Sequence, residues 1–226
     1  MAAKLSKKEL KSPDAFQTTF DRVGEYVEEN KSRVIIAAAA LSCAVLLVLG
    51  IYFYWSYYSG SALKLYAKAQ DNILKGGDNP ETEKANIPIL QKLADQYPHS
   101  WSGRMAHYHL ANIYYNQGDL DRAIASYETF VAKTGSDKAG VRFLALTSLG
   151  YAYEARKDFR AALKYFEQAQ KGYHTGFEMM SLRNVARAHE ALNDKAKAME
   201  YYQKALEKTT DSAAQLYLRR KIAALG

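Results

Sequence analysis

The chain has 226 residues, with 31 Lys and Arg against 24 Asp and Glu (formal charge +7 at neutral pH) and 48% hydrophobic residues. That composition excludes a wholly disordered chain. Four prolines exclude a proline-rich stalk, and one cysteine, Cys43, excludes both an internal disulfide and a cysteine-based metal site.

Residues 1–33 form a leader with seven basic side chains (Lys4, Lys7, Lys8, Lys11, Arg22, Lys31, Arg33) and six acidic ones (Glu9, Asp14, Asp21, Glu25, Glu28, Glu29). After its polar first stretch, Ser12-Pro13-Asp14 supplies a helix start: a serine cap, proline at the first helical position and an acid in the first turn. Phe16, Phe20, Val23 and Val27 follow at helical spacing and give one apolar stripe, suited to a lipid surface or a partner, and Asn30 can end the helix.

From Val34 through Leu41 and Leu49 to Trp55 the chain carries no charge. As a helix this run spans roughly 33 Å at about 1.5 Å per residue, against a hydrocarbon core of about 30 Å. It therefore reads as one transmembrane helix, and a soluble enzyme is not expected. A cleaved signal peptide fits poorly, because the run and its acidic leader are too long and only a weak small-residue site follows at Gly60-Ser61-Ala62. Lys31 and Arg33 stand directly before the run, no charge follows until Lys64, and Tyr52, Tyr54, Trp55, Tyr57 and Tyr58 form an aromatic belt at the far end. The positive-inside rule then places the N-terminus in the cytoplasm and residues 59–226 on the outer side. Wider windows hold Arg22, Lys31 and Arg33 on one side and Lys64, Lys68 and Lys75 on the other, which keeps the reverse topology open.

Beyond residue 60 the signal is almost entirely helical and repeats itself. Leu110-Ala111-x-x-Tyr114, Gly118-Asp119, Ala123, Tyr127 and Phe130 return as Leu149-Gly150-x-x-Tyr153, Asp158, Ala162, Phe166 and Ala169. They return again as Val185-Ala186-x-x-His189, Asp194, Ala198, Tyr202 and Ala205. Small residues let paired antiparallel helices approach, and large aromatics fill the space between successive pairs. Each pair leaves an apolar side that only a neighbour can cover, so the pairs must stack.

These residues resemble the tetratricopeptide repeat: a small residue after Leu, Tyr three further on, a Gly-Asp turn, then Ala, an aromatic and Ala. The units fall at about 104–135, 143–174 and 179–210, the third with His189 where the family has Tyr. The extra length between units is expected in the loops near Thr134–Gly140 and Gly172–Gly176. Residues 62–98 read as a degenerate pair closed by Tyr97-Pro98, and Ser212–Leu225 as a capping helix. The expected fold is all-α: a 33-residue leader, a transmembrane helix over 34–55, and a tetratricopeptide-type solenoid of about nine helices over 59–226.

The resemblance implies a protein-binding groove lined by the first helix of each unit. Carried onto this chain, its positions are Met105, Tyr108, Asn112, Tyr115 and Asn116; then Leu144, Thr147, Tyr151, Glu154 and Ala155; then Met180, Arg183, Arg187, Glu190 and Ala191. Tyrosine and asparagine contact a peptide backbone at low entropic cost, methionine adapts to varied side chains, and Arg183 with Arg187 could hold a carboxylate.

Catalytic chemistry is not expected. His107 and His109 are two apart on a helix and point to different faces, and no nucleophile motif, phosphate loop or paired-carboxylate signature occurs. No cofactor and no metal are expected. The surplus of basic residues after the apolar run is dispersed, without a block suited to nucleic acid. The architecture, with the Glu28-Glu-Asn-Lys-Ser-Arg33 lead-in, resembles the YfgM-like family, ancillary subunits of the bacterial secretory translocon that also act in periplasmic chaperone networks. That resemblance implies translocon subunits and exported polypeptides as partners, and an inner-membrane protein with a periplasmic C-terminal domain. A second reading comes from Tyr97-Pro-His-Ser100 with His109–Asp119, which resembles repeats of envelope-assembly proteins and implies a scaffold in an outer-membrane assembly or division complex. A third places the repeats in the cytosol as a receptor on an organelle membrane.

Overall fold

A computed structural model describes residues 15–77, 79–135, 140–172 and 176–226. The helix start read at Ser12–Asp14 and the centres of the two loops expected to carry extra length lie outside the described residues, as does the side chain of Phe16. Among the described residues there are ten helices and no strand: α1 (Ala15–Glu29), α2 (Lys31–Gly76), α3 (Pro80–Gln96), α4 (Trp101–Asn116), α5 (Leu120–Lys133), α6 (Val141–Ala155), α7 (Phe159–Lys171), α8 (Glu178–Ala191), α9 (Lys195–Leu206) and α10 (Ser212–Leu225). The chain divides into two compact units, Met1–Tyr57 and Tyr58–Gly226.

In the first unit Phe20, Val23, Tyr26 and Val27 of α1 are exposed. The most apolar 18-residue window of α2 has a mean hydropathy of 2.9 and none of it is buried within the chain. α2 is long and apolar enough to cross a membrane. The sequence reading separated the apolar run from the first helix of the degenerate pair, whereas α2 continues without interruption from Lys31 to Gly76. The physical reason lies in the connecting Ser56–Ser61: it holds no proline, and its single Gly60 lowers helix propensity by about 1 kcal/mol, too little to break a helix packed further on.

The second unit is a stack of helix pairs. α2 and α3 are joined by Asn86, which is 1% exposed; its Oδ1 accepts from Asn72 at 2.8 Å and its amide donates to the Ala69 carbonyl at 3.1 Å, so the buried side chain is satisfied at both ends. Pro80 opens α3 at a position where its missing N–H costs nothing, and Asn79 caps it by accepting from the backbone of Glu81 and Thr82. Ser100 caps α4 through Gly103 N at 2.9 Å. A Cβ at Gly103 would lie 1.9 Å from the Tyr97 carbonyl oxygen, so only glycine lets the first turn of α4 press onto the preceding corner.

The three repeats share one turn. Gly118, Lys157 and Asn193 adopt positive φ (76°, 63° and 61°), and Asp119, Asp158 and Asp194 follow as caps accepting from the amides of Arg122, Ala161 and Lys197. Asp119 N, Asp158 N and Asp194 N reach back five residues to the carbonyls of Tyr114, Tyr153 and His189, the Schellman pattern that satisfies orphan carbonyls at a helix end.

Packing follows the small–large alternation. Ala111, Ala186, Ala123, Ala162 and Ala198 are fully buried, and Tyr127, Phe166 and Tyr202 fill the space beside them. His189 occupies the tyrosine position of the third unit; it is buried, stacks on Tyr201 at 5.6 Å, and places Nδ1 3.4 Å from the Asp194 carboxylate.

Candidate functional site

A cavity of about 500 Å³ opens among α2, α3, α4, α5 and α6. Successive turns of α4 present His109, Asn112, Tyr115 and Asn116 to it; Tyr66, Gln70 and Ile73 come from α2, Glu83 and Asn86 from α3, and Tyr127 and Ser148 close it from α5 and α6. Its volume lies within the range of ligand-binding clefts.

Four side-chain hydrogen bonds stiffen the walls. Gln70 Nε2 donates to the Tyr66 oxygen at 2.8 Å, which leaves the phenolic hydrogen for His109 Nε2, also at 2.8 Å. His109 accepts that bond only as neutral imidazole protonated on Nδ1. Burial lowers its pKa and raises that of Tyr66, so both neutral forms are favoured. The Tyr127 hydroxyl donates to Asn112 Oδ1 at 2.5 Å, and Asn116 Nδ2 donates to Glu83 Oε1 at 2.7 Å. Tyr115 is 36% exposed over the cavity. The arrangement offers a half-exposed aromatic ring and oriented amide groups, which suits an extended polypeptide segment.

Of the positions expected from the repeat, Asn112, Tyr115 and Asn116 come together here. Met105 and Thr147 do not line a groove: they are buried (7% and 5% exposed), because their faces turn into the contact with neighbouring helices. Tyr108 packs on Phe130 and Tyr127, with ring centroids 5.5 and 6.1 Å apart. Leu144 is exposed on α6, Met180 and Arg183 are half-buried on α8, and Ala155 and Ala191 are exposed at helix ends.

Three of the charged positions, Glu154, Arg187 and Glu190, are paired within the chain. Arg187 Nη2 meets Glu154 Oε2 at 2.5 Å, and its guanidinium lies 5.3 Å over the Tyr151 ring, whose hydroxyl bonds Asn184. Glu190 accepts from Lys221 Nζ at 2.8 and 3.0 Å and from the Tyr202 hydroxyl at 2.7 Å. Burial pushes the Glu190 carboxyl up, but the Lys221 and Tyr202 bonds and the Lys221 charge bring it below its ordinary value. Arg187, expected with Arg183 to hold a carboxylate, is thus already paired through Nη2 with Glu154, 33 residues earlier in the chain.

Sequence reasoning missed the α2 and α3 walls. Ala62, Tyr66 and Ala69 stand at spacings of four and three and are all buried; that pattern was the available signal, obscured by the apolar run directly upstream. His107 and His109 take different partners, Lys133 and Tyr66. Among the described residues no cluster of three or more potential metal ligands occurs. A further cluster, Glu128 with the stacked Tyr153 and Tyr165 (both hydroxyls 2.8 Å from Oε1), rigidifies the contact of α5, α6 and α7; burial and then Glu128 push the Tyr153 phenol up to about 12.

Residues 26–226 match the tetratricopeptide repeat-like domain. Among solved structures, the chain is similar to the nearly identical TPR-like repeats of a Podosopora anserina kinesin light chain-type protein. The TM-score is 0.56 at 19% identity, covering 74% of this chain and 86% of that one. It is similar to PilF of Pseudomonas aeruginosa, with a TM-score of 0.55 at 16% identity, covering 74% and 68%. It is also similar to MamA (residue 41 to the end) of Desulfovibrio magneticus RS-1, with a TM-score of 0.56 at 15% identity, covering 74% and 94%. At these identities the likeness is one of fold. No curated protein matches the chain by sequence.

Proposed function

The chain belongs to the tetratricopeptide repeat-like domain family, and on that premise we propose that it is a membrane-anchored protein that holds segments of other polypeptides in the cavity between α2 and α6, without catalysing a reaction. The observation that carries this reading is the cavity itself: about 500 Å³, walled by pre-bonded polar pairs, with the Tyr115 ring half-exposed above them. Preformed walls lower the ordering cost of holding a flexible chain. Anchoring is supported by the charge-free Val34–Trp55, unburied within the chain and flanked by Lys31 and Arg33. With the N-terminus cytoplasmic, the repeat domain lies outside the inner membrane, where an ancillary translocon or chaperone-type factor receives newly exported chains.

A photo-crosslinking residue in place of Tyr115 in cells tests this. Capture of translocon subunits together with many exported polypeptides is the expected result. Capture of a single abundant envelope protein would replace the chaperone reading with that of a scaffold of fixed specificity, and capture of cytosolic chains alone would reverse the topology.

A further inference from the structure

Resting on the reading of the cavity between α2 and α6 as a polypeptide site, we infer that it selects segments bearing a lysine or arginine side chain, whose cation meets the Glu83 carboxylate with the Tyr115 ring beside it.

The inference starts from the charge of the lining. The chain holds 31 Lys and Arg, yet none of them is among the described residues that line the cavity, and the single carboxylate there is that of Glu83. Glu83 is half-buried on the first turn of α3. Its Oε1 accepts from Asn116 Nδ2 at 2.7 Å, and Oε2 has no partner among the described residues. A carboxylate partly withdrawn from water, with one oxygen unpaired, attracts a charged donor more strongly than a neutral one. His109 adds no opposing charge, because it receives the Tyr66 hydrogen as neutral imidazole.

The backbone adds to the same sign. α2 ends at Gly76 and α4 at Asn116, and Gly77 and Asn116 both line the cavity, so two helix C-termini turn their partial negative charge toward this rim. The positive end of α3, also at the rim, is met by its Asn79 cap and by Glu81 and Glu83 of its own first turn. Lys75, in the last turn of α2, pairs with Asp71 at 2.7 Å and lies outside the lining.

An aromatic face completes the site. Tyr114, Tyr151, Tyr165 and Tyr201 each hold one of the chain's own cations 4.4–5.3 Å from the ring centroid. Tyr115 holds none among the described residues, is 36% exposed, and directly precedes Asn116, which is bonded to Glu83. A ring next to a carboxylate is the combination that takes up a guanidinium or an ammonium group. An acidic segment would meet Glu83 with no cation to pair it.

The test immobilises the full-length chain in detergent, passes over it a pool of randomised heptapeptides with blocked ends, and sequences what is retained. Relative to Asp and Glu, the retained peptides should carry Lys and Arg about five- to tenfold more often than the input pool. Glu83→Gln keeps an acceptor for Asn116 and should bring that ratio back close to the input. Non-specific attraction to a chain of net charge +7 would act in the opposite direction and enrich acidic peptides. Retention without enrichment in basic residues, or enrichment that persists in Glu83→Gln, would overturn the charge selection and leave the polypeptide site standing. Retention of no peptide by the parent chain would overturn both.

Discussion

Gly150→Ala tests the packing logic of the repeats most sharply, because two effects of opposite sign meet at one methyl group. Gly150 lies inside α6, where alanine gains about 1 kcal/mol of helix propensity over glycine. A Cβ there would stand 2.4, 2.5 and 2.9 Å from three atoms of the Phe166 ring, whereas carbon atoms in contact prefer about 3.5–4.0 Å. Phe166 is 1% exposed and packs edge-on against Tyr151 at 5.3 Å, so the ring cannot swing away into solvent. Overpacking of a filled core costs about 1–3 kcal/mol; three contacts under 3.0 Å put this variant in the upper part of that range, about 2–3 kcal/mol, so after the propensity gain the expected net loss is about 1–2 kcal/mol. For a domain of this size that lowers Tm by roughly 2–8 °C. The assay is thermal unfolding of the full chain in detergent, followed by circular dichroism, with Gly60→Ala alongside. Gly60 is also helical but has no heavy atom within 4 Å of a built Cβ, so its alanine variant should melt at or slightly above the parent temperature. Trimming the ring in Gly150→Ala/Phe166→Leu should recover part of the loss. If Gly150→Ala melts at or above the parent, the close approach of α6 and α7 does not constrain the fold and the reasoning fails.

Ala123→Leu, at a fully buried position of α5, should cost about 1–3 kcal/mol, while Ala125→Leu on the exposed side of the same helix should leave Tm unchanged; equal melting of the two would refute the register. Lys157→Gly should stabilise by up to about 1 kcal/mol, since Lys157 holds φ 63° where its neighbours in register are Gly118 and Asn193; a fall in Tm would show that the lysine side chain outweighs the backbone strain. The pKa of His109, and that of His107, is lowered by burial from the ordinary value of 6.5. Below 6.5 the unfolded chain therefore binds more protons than the folded one, and stability should fall as pH drops through this value and be fully present above it. His109→Gln, which keeps an acceptor for Tyr66, should flatten part of that slope in melts recorded across weakly acidic pH; an unchanged slope would place the proton uptake elsewhere.

Much of the fold is legible in the residues because the repeat states its own geometry. Ala111, Gly150 and Ala186 at one position and Ala123, Ala162 and Ala198 at another mark where helices touch, and the Asp119, Asp158 and Asp194 caps mark where one helix ends and the next begins. The site was less legible, for two physical reasons. Register alone cannot separate a groove-lining position from one turned slightly inward, as Met105 and Thr147 are. Nor can it show pairing across repeats: Arg187 with Glu154 and Lys221 with Glu190 join residues more than 30 positions apart, and their charges cancel inside the chain instead of facing a partner. The degenerate first pair hid its contribution because its opening helix is the tail of α2, whose hydrophobic character upstream masks the spacing of Ala62, Tyr66 and Ala69.

The shared turn carries a consequence for how such a chain can change length. Asp119, Asp158 and Asp194 are separated by 39 and then 36 residues, yet all three close the same turn with the same backbone bonds. The three-residue difference is shared one residue each among the second helices (14 in α5, 13 in α7), the return connections (134–140, 172–177) and the following first helices (15 in α6, 14 in α8), while the hinge inside each pair behaves as a fixed joint. Duplication of a whole unit, or grafting of a foreign peptide between Thr134 and Gly140, would leave every joint in register. The architecture is in that sense a set of interchangeable parts, tolerant of insertion on one edge and intolerant of it on the other.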